Sequence, residues 1–260
     1  MGTTQVVKQH KAERYDVATD RADNSRYVYM SNAVARAAQG LSLAEKRIIM
    51  TAASRLDSRR VPAPGAAPVT RISAMDYAET FNIDLNTAYE QLQDAGKELY
   101  KRSITFTEIK TGKRKSEAVH TLRWIGRATY HKGEGWIELA WWHEVMPHLC
   151  GLQRQFTKYQ LQQASALRSL YSWRLLELLQ SWQDKGRFEI SIEDFAKAME
   201  ATDKQRQDFA AIRRRIIEPA IKELKEKDNW LIQWEPMKAG RKVSSLRFTF
   251  MKNPQQSLLL

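Results

Sequence analysis

Three consecutive arginines, Arg213, Arg214 and Arg215, lie in a stretch from Lys204 to Lys227 that holds eight basic and four acidic residues. Phe209, Ile212, Ile216, Ala220 and Leu224 recur there at three- and four-residue spacings, the signature of a helix with one buried stripe. The opposite side would carry Lys204, Arg206, Gln207, Arg213, Arg214 and Arg215. The acidic residues other than Asp208 fall in the C-terminal half, at Glu218, Glu223 and Glu226. A positive N-terminal half opposes the helix dipole and so favours a bound anion at that end. Phosphate is a natural one, and the planar guanidinium also grips guanine edges bidentately. A lone arginine run is more often a solvated face, so the weight of this one depends on its surroundings.

Two further basic clusters sit between alternating apolar runs, where hairpin tips are expected. Lys110, Lys113, Arg114 and Lys115 form the first; Lys238, Arg241 and Lys242 form the second. A basic tip suits phosphate or minor-groove contact, which positions a protein more than it reads sequence. Asn86, Gln93 and Lys97, with Glu90 among them, share an exposed helix side on which Asn and Gln could read adenine. Eight tryptophans raise the alternative of a single-strand stacking surface. Their places in strands and on an amphipathic helix fit core packing better.

Signals of catalysis are absent. The chain has no phosphate-binding glycine loop, no dinucleotide fingerprint and no His-hydrophobic-His site of a nicking relaxase. His143, His148 and Cys150 lie close together but lack the second pair a zinc site requires. The expectation is a non-enzymatic protein with no cofactor and no metal.

The elements that must position these residues fall into two runs of like order. Ser42 and Glu45 form a capping box ahead of a helix whose buried face is Ile48, Ile49, Ala52 and Leu56; Val61–Val69 is a proline-rich loop. Ser73 caps a short helix carrying Met75, Tyr77, Ala78 and Phe81. Asn82–Asp84 turns the chain, and a helix over 86–101 follows. Strands are expected at 103–109, 118–130 and 136–142. A helix-turn-helix followed by a hairpin with a basic tip is the winged-helix order. In the second half, one or two helices over 156–186 end at Gly186. A short strand (188–191), a helix capped by Ser191, a turn at 201–203, a helix over 205–227 and strands at 230–236 and 244–250 complete it. The fold class is α+β with two tandem winged-helix domains: an arm over 1–25, domains over 26–145 and 146–252, and a tail over 253–260.

Forty-two Lys and Arg against thirty Asp and Glu leave a formal charge of +12, which favours a polyanionic partner. No apolar run approaches the roughly 20 residues of a membrane span, and the first residues lack a secretory core. One cysteine excludes an internal disulfide and fits a reducing compartment, so a cytoplasmic double-stranded DNA binder without membrane contact is expected.

Several pieces resemble the iteron-binding plasmid replication initiators, the initiator Rep protein family. They are F-x-x-Y at 156–159, S-x-Y-S-x-R-L-x-E-L-L from Ser169 to Leu179, and F-x-x-I-R-x-R-I-I-x-P-A from Phe209 to Ala220. LSLAEKRIIMTAASRLD (41–57) suits the family's first domain, and the resemblance spans Asn32 to Phe250. It implies two winged-helix domains gripping one iteron from successive grooves, a monomer that initiates at the origin, and a dimer, joined through the first domain, that represses its own gene at an operator. It also implies recruitment of host initiator and helicase proteins. Carried over by position, the second recognition helix is Arg206 to Arg215 and the wing Lys238 to Lys242. The proline-rich loop and the weakly basic first recognition helix depart from the pattern. The terminal residues Gln255, Ser257, Leu258 and Leu260 are similar to the peptide with which bacterial proteins dock on the sliding clamp. A plain winged-helix repressor and a nicking relaxase or nuclease are the contrasting readings.

Overall fold

A computed structural model describes residues 26–63, 65, 66, 68–110 and 116–253. Strand β1 (Tyr27–Ser31) leads into a single turn, α1 (Asn32–Arg36), and then into α2 (Leu43–Ala53). The capping box is present: Ser42 Oγ accepts from the Glu45 N–H, and the Glu45 carboxylate accepts from the Ser42 N–H at 2.7 Å. Helix α2 is buried on every side rather than on one face, down to Glu45, Lys46 and Arg47. It is the central rod of the first half, and Leu56 packs at its margin.

After the loop, β2 (Val69–Ser73) leads through the Ser73 cap into α3 (Ala74–Phe81). Asn82 closes α3 at φ 47°, the left-handed cap that Asn tolerates better than most residues, and Asp84 opens α4 (Leu85–Glu98) by accepting from the Thr87 N–H. That is the expected helix-turn-helix. Met75, however, stands on its exposed side, and Leu85 and Tyr89 are also partly exposed.

The strands that follow pair differently from expectation. The single strand foreseen over 118–130 is broken, because the Trp124 indole is buried and donates to the Gln39 carbonyl at 2.9 Å. Strands β3 (Ser103–Lys110) and β4 (Ser116–Arg123) form a two-stranded sheet of their own, while β5 (Ile125–His131) and β6 (Trp136–Trp141) join β2 in a sheet of order β2-β6-β5. The wing on the sheet of the first helix-turn-helix is therefore β5–β6, with its tip at 132–135. The hairpin with the basic tip is an insertion beside it.

The junction expected at residues 145–146 falls in a tight helical turn, His143–His148. The chain then returns as β7 (Phe156–Gln160), foreseen as helix but paired antiparallel with β1. Its alternation of exposed and buried residues carries the period of a strand. A short α5 (Leu161–Ser165) precedes α6 (Leu170–Gln180), which is buried along most of its length. β8 (Arg187–Ser191), α7 (Ile192–Ala198), α8 (Asp203–Arg206), α9 (Phe209–Ile212), α10 (Glu218–Asp228), β9 (Trp230–Ala239) and β10 (Lys242–Lys252) complete the second winged helix, whose sheet has the order β8-β10-β9. Trp124, Trp141, Trp173 and Trp230 are fully buried, so half of the eight tryptophans are core. Among the described residues no helix is long and apolar enough to cross a membrane.

Candidate nucleic-acid interface

The helix expected over 205–227 is three pieces, and the reasons are local. Thr202 and Gln205 form a capping box that starts α8, which lasts one turn. Asp208 then caps a new start by accepting from the Ala210 N–H at 2.8 Å. From Phe209 to Asp228 the chain is helical without interruption, but Arg213–Ile217 is a π turn between α9 and α10. Pro219 supplies the cause: it has no N–H to give the Arg215 carbonyl, and in α-geometry its ring would strike that carbonyl. A wider turn relieves the clash. Residues five apart then lie above one another, and Arg213 Nε donates to Glu218 Oε1 at 2.6 Å.

The π turn has a consequence for charge. Arg213, Arg214 and Arg215 are all exposed, while Ile212, Ile216 and Ile217 on either side are buried. Arg214 Nε folds back on the Ala210 carbonyl at 3.3 Å, and Arg215 has no ion pair among the described residues. Because the helix starts at Phe209, the triplet occupies its second turn, not its first. Dipole effects are confined to the first turn, so the helix N-terminus draws no anion to these three residues. Exposure and proximity carry the case instead.

Lys204, Arg206 and Gln207 are exposed too, but on and just after α8. Arg206 Nε donates to the Ala201 carbonyl at 2.8 Å, tying it to the turn that α7 and α8 share. The Thr202 cap places them one helix earlier than a continuous 205–227 helix would.

The second wing is a tight hairpin. β9 and β10 pair through Ala239↔Lys242, leaving Gly240 and Arg241 as the tip, with Gly240 at φ 63° where an L side chain is strained. Lys238, Arg241 and Lys242 are all exposed around it. Arg247, by contrast, lies on the outer sheet face between Glu189 and Glu235 at 3.2 and 2.9 Å, and its charge is spent there.

In the first half, Asn86, Gln93 and Lys97 are exposed on α4, as are Glu90 and Asp94. Lys97 pairs with Asp94 at 3.2 Å, so this face has little net positive charge. Tyr89 lies over the β5–β6 tip. A Cβ added at Gly135 would come within 2.4 Å of its ring, so Gly135 is what admits the tyrosine there. Lys113, Arg114 and Lys115 lie outside the described residues, as do Gln255, Ser257, Leu258 and Leu260.

The group His143, His148 and Cys150 does not assemble a metal site; among the described residues no cluster of three metal-ligating side chains exists. His148 is held by Ser31 Oγ at 3.0 Å and packs edge-on to Phe106; burial and the nearby His120 keep its pKa low. Burial, with the Asp57 charge, pushes the Cys150 thiol up to about 11, which leaves it protonated and inert.

The family model for initiator replication protein, WH1, matches residues 27–180, and that for initiator Rep protein, WH2, matches 191–250. The first segment extends through α6. An uncharacterized 27.6 kDa protein of Escherichia coli is 24% identical over 227 residues, covering 84% of this chain and 93% of its own. A replication initiation protein of the same organism is 28% identical over 188 residues, 70% of this chain and 56% of its own length. The PI protein, also from Escherichia coli, is 27% identical over 242 residues, 81% of this chain and 78% of its own. Among solved structures, Pi initiator protein in complex with iteron DNA superposes with a TM-score of 0.74 at 24% identity, covering 89% of this chain and 99% of that one. That likeness establishes the fold as two winged helices in tandem.

Proposed function

The chain belongs to the initiator Rep protein family, and from that premise we propose that it binds repeated double-stranded sites at a plasmid origin and starts replication there without catalysis of its own. The observation that carries the reading is the π turn at 213–217, which presents three arginines together on the helix that follows a helix-turn-helix turn. Arg213, Arg214 and Arg215 reach base edges and phosphates in the major groove. Lys204, Arg206 and Gln207 hold the backbone beside them, and Lys238, Arg241 and Lys242 on the wing grip phosphates farther along.

The first head contributes Asn86, Gln93 and Lys97 from α4, with Lys113, Arg114 and Lys115 of the inserted hairpin as backbone contacts. Its low net charge makes it the weaker of the two and the one more dependent on base or methyl contacts. In this reading the protein works in the cytoplasm as a monomer on the repeats. A dimer joined through the first head represses its own gene, and host initiator and helicase proteins are recruited to the opened origin. The tail at 255–260 docks on the sliding clamp.

Footprinting the purified chain on the DNA beside its gene tests the core of this. Protection of short direct repeats supports it; protection of a lone operator, with failure of a plasmid carrying only the gene and that DNA to replicate, favours a plain repressor. Nicking of supercoiled DNA in divalent metal, lost on mutating a tyrosine, would replace it with an enzyme. Loss of clamp binding on removing residues 255–260 tests the tail.

A further inference from the structure

The two winged helices are joined by hydrogen bonds, several of which end on a helix-turn-helix motif. Glu200, in the turn after α7, has φ 53°, a conformation non-glycine residues adopt rarely. Its Oε1 accepts from the backbone N–H groups of Gln39 and Gly40, the latter at 2.6 Å. Those residues belong to the first head: Ala38 bridges Thr105 of β3, and the Gln39 carbonyl takes the Trp124 indole. Arg174 of α6, fully buried, donates to the Ala198 carbonyl at the end of α7 at 2.9 and 2.7 Å, and also to the Ala37 carbonyl.

A second tie lies elsewhere. Arg168 Nη1 donates to the Phe81 carbonyl, at the end of α3, at 2.9 Å, and its own N–H is accepted by Glu223 of α10 at 2.7 Å. One tie therefore ends on the turn of the second motif, and the other spans from the first helix of the first motif to the long helix of the second.

Resting on the two-headed DNA binding proposed above, we infer that Glu200 and the Arg168–Glu223 pair are positioning residues that fix the distance and angle between the two recognition helices, so that the protein selects DNA by the spacing between two contacted segments. Neither carboxylate needs to touch DNA for this. One added base pair displaces a segment by about 3.4 Å and turns it by roughly a tenth of a turn. A junction held by several hydrogen bonds, those of Arg174 fully buried, resists that shift, whereas a flexible linker would absorb it.

The test uses the full chain and duplexes carrying the site footprinted beside its gene, with zero, one or two base pairs inserted between the two protected segments. The wild type prefers the natural spacing by roughly 10- to 100-fold, the effect of losing one head's base contacts. Glu200→Gly removes the carboxylate and relaxes the left-handed backbone, so it remains folded; its preference falls below about threefold while each segment's sequence preference is kept. Glu200→Gln retains an acceptor oxygen and most of the spacing preference. Glu223→Ala, at a half-buried position on α10, probes the second tie independently. Undiminished spacing preference in both Glu200→Gly and Glu223→Ala overturns the inference and leaves the two-headed reading intact. A wild type indifferent to spacing overturns both.

Discussion

Replacing Arg213 by alanine separates three roles that one exposed arginine could play. The Arg213–Glu218 pair is 2.6 Å long, but its side chains are 56% and 43% exposed. Exposed pairs contribute about 0–1 kcal/mol, and alanine is the better helix former, so folding stability changes by less than about 1 kcal/mol. A larger loss on DNA is then a binding effect. If Arg213 reads a base, specific affinity falls by about 1–3 kcal/mol, roughly 5- to 150-fold, and the preference at one base position relaxes. If it touches only phosphate, affinity falls alike on all sequences and the slope of log K against log salt becomes shallower by about 0.9. Glu218 competes with DNA for this guanidinium, so Glu218→Gln should tighten binding at low salt. Fluorescence anisotropy on the footprinted site and a scrambled duplex, at four salt concentrations, reads all of these. Unchanged affinity and unchanged slope for Arg213→Ala, in a chain with a native melting curve, would refute the assignment of the π turn as the reading surface.

Pro219→Ala removes the cause of the π turn; thermal stability should hold or rise while specific DNA affinity drops several-fold, and equal affinity would show that the widened turn is irrelevant to binding. Gly40→Ala should lower stability by about 1–3 kcal/mol by thermal melting, since φ is 65° and the new Cβ would stand 2.9 Å from the Ser103 carbonyl oxygen. Lys46, fully buried beside Glu177, has its pKa lowered to about 8, chiefly by desolvation and against the attraction of Glu177. The folded state thus releases this proton before the unfolded one, so the Lys46 contribution to stability rises as pH climbs from about 8 towards the ordinary lysine value and is lost on descent through 8. Melting wild type and Lys46→Met side by side over that window should show their stability difference growing in favour of wild type; a flat difference would mean Lys46 keeps an ordinary pKa.

Local signals carried a large part of this fold because they act within a few residues. The Ser42–Glu45 box, the Ser73 and Ser191 caps and the Asn82 turn formed where their side chains dictate, since a cap needs only its own N–H neighbours. The order of helix, turn, helix and hairpin in each half followed, as did the exposed arginines of the 213–215 run. The break at Asp208 and the π turn were legible too, in an aspartate cap and in Pro219 within a helical period, but the apolar stripe masked both.

Pairing partners were not legible. YVYMS and FTKYQ each alternate like strands, yet each finds its partner about 130 residues away. Which hairpin is the wing was decided by β2 choosing β6, and by the buried Trp124 breaking one apparent strand into two. The same holds for Arg174 and Glu177, whose place in the Ser169–Leu179 run says nothing of what surrounds them. Glu177 is fully buried and accepts from Lys46, Arg174, Gln39 and Tyr159, groups that come together only when the chain has closed on itself. Sequence alone determined what each arginine near 213 could grip and which short elements would carry it. Tertiary structure decided how the two heads are held, because that depends on contacts between residues far apart along the chain, such as Glu200 with Gly40 and Arg168 with Phe81.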